Sequence, residues 1–128
     1  MKVWRGALWG FAVTVAWARI GSLVQQAPAG VRNRSNPLAA DAQARRAGAK
    51  LYARECQSCH GPKREGIGKA PPLDSADVYR AAPGALFWVL RHGSLHQGMP
   101  SFAHLPELER WQVITFLLEV KETSAATR

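Results

Sequence analysis

Between residues 36 and 56 the apolar positions Ala44, Ala47/Gly48, Leu51/Tyr52 and Cys56 recur every three or four residues. That is the spacing of one face of a helix. Ser35 or Asn36 can cap it, and Pro37 suits its first turn. Gly48 in mid-helix costs about 1 kcal/mol relative to alanine, so its presence predicts that another helix approaches closely there. A short helix capped by Ser75 is predicted over 75–82, and an apolar one over 83–92 with Gly93 as its C-cap. The strongest helical pattern covers 105–122. Pro106 fits its first turn, and Glu107 and Glu109 suit its positive end. Leu108, Trp111, Val113, Ile114, Phe116, Leu117 and Val120 form its expected buried face. The Gly- and Pro-rich stretches 60–74 and 93–104 read as loops. No strand period and no repeat appears.

The first 37 residues follow other rules. Lys2 and Arg5 precede an uncharged, mostly apolar run over 6–18, with small residues at Ala16 and Ala18. A basic start, a short apolar core and small residues make an export signal. The rival reading is an uncleaved anchor over 6–24, with Arg19 snorkelling to the interface near its outer end. Under either reading residues 1–18 are a signal peptide or membrane anchor, and the remainder lies in the periplasm or on the outer face of the cytoplasmic membrane. Residues 19–37 read as a flexible linker, 38–122 as the folded domain and 123–128 as a tail.

The sequence carries a net charge of +8 over 128 residues. Much of that excess lies outside the domain. Within 38–122 there are eleven Lys/Arg against nine Asp/Glu, a net of +2. That balance, without a basic-aromatic stripe, excludes a nucleic-acid partner. A domain of this size buries a modest core and is often completed by a metal, disulfide or cofactor. The chain has two cysteines, Cys56 and Cys59. A disulfide between them would close too small a loop to contribute much.

Cys56, Cys59 and His60 form C-x-x-C-H, the attachment signature of haem c. Two thiols at this spacing can add to the two vinyl groups of one porphyrin edge, and the next residue then supplies an axial nitrogen. Three alternatives compete. Zinc needs three or four ligands, which would recruit His92, His96 or His104, but no second paired spacing is present. A thioredoxin-like dithiol belongs with a strand-to-helix junction, and no sheet is predicted. Plain buried thiols are the third. Candidates for the iron's other face are Met99, the three histidines, or an open site. Met99 stands between Gly98 and Pro100, and a proline there fixes the backbone that carries the thioether.

Gly48, Tyr52 and Cys56 at spacings of four, then "CQSCHG" (56–61), "APPL" (70–73), "GMPSF" (98–102) and an aromatic-rich final helix occur in that order. Together they resemble the class I (monohaem) cytochrome c family over residues 45–120. The resemblance implies an all-α fold: four to five short helices wrapped around one covalently bound haem c, with the N- and C-terminal helices crossing. It implies Cys56 and Cys59 as thioether attachments, and His60 and Met99 as axial ligands. Pro71, with Pro72 as its alternative, would accept the His60 ring N–H through its carbonyl. Leu73 and Phe102 would pack on the haem. Gly48 and Tyr52 would meet Val113 and Phe116.

The implied function is outer-sphere transfer of single electrons between a redox donor and acceptor, such as a dehydrogenase, an oxidase or another cytochrome. The chain would then be a carrier and not an enzyme. The alternatives are an electron-transfer subunit of a larger dehydrogenase or oxidase, and a gas sensor or peroxidase with an open sixth site. Membrane contact is expected only through the N-terminal segment.

Overall fold

The structure, a computed structural model, describes the backbone of residues 20–126 and the side chains of residues 20–119. The expected signal or anchor at 1–18 and the side chain of Val120 lie outside the described residues. Seven α-helices follow in order: α1 (Ile20–Val24), α2 (Ala29–Arg32), α3 (Ala42–Glu55), α4 (Gln57–His60), α5 (Ala76–Arg80), α6 (Pro83–His92) and α7 (Glu107–Ala126). No strand occurs among the described residues, only the isolated bridges Ile67–Ala70 and Ser94–Met99. None of their helices is long and apolar enough to cross a membrane.

The expected crossing of first and last long helices is present as α3 against α7. A Cβ on Gly48 would stand 1.9 Å from the Gln112 carbonyl oxygen and 2.9 Å from Phe116 Cβ. The glycine therefore lets the two backbones touch. One turn on, the Tyr52 and Phe116 rings pack tilted at 5.5 Å. Ala44, Leu51 and Tyr52 from α3 are buried, as are Trp111, Val113, Ile114 and Leu117 from α7.

Several boundaries differ from the sequence reading. α3 begins at Ala42, and its cap is Asp41, whose carboxylate accepts from the Gln43 and Ala44 N–H groups. Asn36 instead donates to Thr115 Oγ1 on α7 at 2.9 Å. Pro37 therefore precedes the helix. Pro106 is also outside its helix, its carbonyl accepting from the Arg110 N–H. Leu108 is 56% exposed although its neighbours Arg110 and Trp111 are buried, so it lies off the packed face of α7. α7 continues to Ala126, four residues beyond its expected end and into the expected tail.

The largest difference concerns the expected linker. Residues 20–34 form α1 and α2 and pack against α5 and α6. Val24 and Ala27 are buried. The helix count thus exceeds four to five because α1, α2 and the single turn α4 are added to the four expected. Ser75 and Gly93 end their helices as expected: the Ser75 hydroxyl accepts from the Val78 N–H, and Gly93 has φ +65°.

Candidate functional site

α3 ends at Glu55 and the chain re-enters helix at once, so Cys56, Cys59 and His60 share one turn. The Cys59 and His60 N–H groups both reach the Cys56 carbonyl, at 3.2 and 2.9 Å. Both cysteines are free thiols, Cys56 buried and Cys59 exposed. Burial pushes the Cys56 thiol up to about 12, with Glu55 and Cys59 adding to the effect. Without a metal beside it, such a thiol stays neutral near pH 7 and is a poor source of the thiolate that a redox dithiol needs. No group of three metal-binding side chains occurs among the described residues, so His92 and His96 stay apart and His104, though it lines the same cavity, completes no metal set.

His60 is 9% exposed. Its Nδ1 lies 2.8 Å from the Pro71 carbonyl oxygen. A carbonyl only accepts, so Nδ1 carries the proton and Nε2 keeps its lone pair. The loop that presents Pro71 is fixed at several points. The Gly66 N–H reaches the His60 carbonyl at 2.8 Å, and the Leu73 N–H reaches that of Arg64 at 2.9 Å. The Tyr52 hydroxyl donates to the Gly61 carbonyl at 2.6 Å, which ties the loop's start to α3.

Met99 is half-buried in a loop folded back on itself. The Met99 carbonyl accepts from the Ser94 N–H at 2.9 Å, and the Met99 N–H donates to the Ser94 carbonyl at 3.1 Å. The Phe102 N–H donates to the Leu90 carbonyl at 2.8 Å, so the loop is also pinned to α6.

These pieces enclose one cavity of about 750 Å³. Cys56, Cys59, His60, Pro71, Leu73, Met99 and Phe102 all line it, so the structure brings together every site residue read from the sequence. Leu86, Val89 and Leu90 of α6 and Val113, Ile114 and Leu117 of α7 supply apolar wall. Sequence reasoning missed Ile20, Leu23 and Val24 of α1, which also line the cavity. Their i, i+3, i+4 spacing was the available signal, but it sits against the apolar run of the leader.

A large, mostly apolar cavity with a histidine nitrogen lone pair, a thioether and two thiols fits a haem. The apolar walls suit the macrocycle, and the soft sulfur and imidazole donors suit iron. Residues 43–117 match the family model described as cytochrome C oxidase, cbb3-type, subunit III. No curated protein and no solved structure matches the chain significantly.

Proposed function

Because this chain belongs to the cytochrome c family, through the cbb3-type subunit III domain at 43–117, we propose that it carries single electrons on one covalently attached haem c. Electron transfer on haem c is the role its family supports; one haem, its covalent attachment, and the exported location are our reading. The observation that carries it is the His60–Pro71 hydrogen bond within a cavity that Met99 also lines.

Haem c, when bound, supplies a one-electron iron couple. Cys56 and Cys59 would hold it through thioethers. His60 Nε2 and Met99 Sδ would be the donors to its iron. The bond to Pro71 orients the imidazole and increases its donor strength. Methionine as the second ligand raises the reduction potential. With His60 and Met99 both holding the iron, substrate would have no place on it, which supports reading the protein as a carrier. Cys59 is exposed, so the thioether edge beside it is the side from which we expect electrons to leave. The basic start and apolar run of residues 1–18 support export.

Carbon monoxide tests the closed site. The reduced protein is expected to keep its spectrum under the gas. Formation of a carbon monoxide complex would overturn the carrier reading in favour of an open-site sensor or peroxidase.

The matched family is described as an oxidase subunit, which favours a second reading in which this domain delivers electrons within a larger oxidase. Solubilisation in mild detergent separates the two. A stable complex supports the subunit, and a lone chain supports the shuttle.

A further inference from the structure

Residues 20–34 lie outside the matched region, yet they are bound to the domain along their length. Ala27 is 1% exposed. The Arg32 guanidinium donates to the Ala27 carbonyl from Nη2 at 2.8 Å and from Nε at 3.3 Å, closing the turn between α1 and α2. α2 presses on α6 so closely that a Cβ on Gly84 would stand 2.0 Å from the Val31 carbonyl oxygen. Arg34 pairs with Glu107 on α7, its guanidinium carbon 4.8 Å from the Phe87 ring centroid. Among the described residues α1 contributes only Ile20–Val24. These downstream ties hold it in place.

What they hold is cavity wall. Ile20, Leu23 and Val24 all line the site. We propose that α1 is a wall of the haem cavity. Ile20, Leu23 and Val24 would be positioning residues that exclude water from the cofactor and so raise its reduction potential. The inference rests on the reading that this cavity holds haem c. The physical ground is charge: ferric iron carries one more positive charge than ferrous, and an apolar wall disfavours the more charged state. Exposure to solvent is one of the levers by which a protein sets a haem potential. Cleavage after Ala16 or Ala18 would leave this wall in the mature chain, as would retention of the leader.

The test is spectroelectrochemical titration of the exported, haem-loaded full chain. Leu23→Asn and Val24→Ala are compared with the conservative Leu23→Met and with Gln26→Ala, an exposed residue of the same segment that does not line the cavity. The expected result is unchanged low-spin haem bands in all four. Leu23→Asn should shift the ferric-to-ferrous ratio at a fixed applied potential toward ferric, on the order of threefold or more for this one-electron couple. Val24→Ala should move the same way by less. Leu23→Met and Gln26→Ala should stay at the parent value. Unchanged potentials in Leu23→Asn and Val24→Ala, with haem bands intact, would overturn the proposal. If Leu23→Asn fails to accumulate, Val24→Ala decides by the same readout. Absence of haem bands from the parent protein would overturn the haem reading itself, and this proposal with it.

Discussion

His60 shows how much one residue's neighbours decide. A carbonyl 2.8 Å from Nδ1 settles which ring nitrogen holds the proton, and so which is free to bind a metal. Met99 is the matching test on the other donor. Met99→Ala should retain covalently attached haem, lose the weak far-red band of methionine-bound ferric iron and fall in potential; an unchanged far-red band would remove Met99 from the iron. Tyr52 supports the site from beneath. Burial pushes its phenol up to about 12 from an ordinary 10.0. The folded state thus favours the neutral phenol. Its contribution is fully present below pH 10 and is lost as pH rises from about 10 through about 12. Tyr52→Phe should cost about 1 kcal/mol at pH 8 through the lost bond to Gly61, and should weaken the alkaline loss of stability, as followed by thermal unfolding at pH 8 and 11. The residues that meet in the cavity were legible because C-x-x-C-H, "APPL" and "GMPSF" are short patterns readable in any local window. Leu108 was not, because an apolar residue type does not by itself fix which side of the helix is packed. Nor was the Asp41 cap, since Asn36 fits a cap equally well until Thr115 claims its side chain.

Among the elements, α3 and α7 carry the architecture, and Gly48 is the point at which they meet. Gly48→Ala should be destabilising although alanine is the better helix former. The added Cβ collides with a backbone oxygen at 1.9 Å, which cannot rotate away. Overpacking of this kind costs about 1–3 kcal/mol against about 1 kcal/mol gained in propensity. A rise in urea midpoint would refute the contact. Gly84→Ala probes α2 in the same manner. It should expose residues 20–34 to protease while α3 and α7 stay protected; equal resistance to the parent would show that the segment is not held there. The long helices were legible from period and punctuation. α1 and α2 were not, because the described parts of five and four residues fall below the 11–18 residues over which a period can be read. Pro28 and Gly30 also resemble loop punctuation there. Those two helices exist through burial of Val24 and Ala27 and through the contact at Gly84, information that is long-range and absent from any local window.

For the whole molecule, the fold is a set of helices arranged to keep one large cavity apolar, with the C-x-x-C-H turn and the Met99 loop built into its lining. Outside the cavity, charge is mildly positive. Residues 20–122, which include the packed α1 and α2, hold thirteen Lys/Arg against nine Asp/Glu, and this net +4 gives only modest long-range steering. Raising salt from about 0.01 M to 0.15 M shortens the screening distance from about 30 Å to about 8 Å. Electron exchange with a protein partner should change only a few-fold over that range, and a collapse in stopped-flow rate would contradict it. The class of the fold and its cofactor were legible because ordered motifs spanned the whole domain; the closure of the cavity by α1 was not, because it depends on where a short segment lands. The most direct test of the central claim is the optical spectrum of the purified, exported protein, oxidised and reduced. Sharp reduced bands of low-spin haem c, with the weak far-red band in the ferric form, are the predicted result and identify His60 and Met99 as the iron's ligands. A high-spin spectrum, or no covalently bound haem from cells able to attach it, would contradict the account.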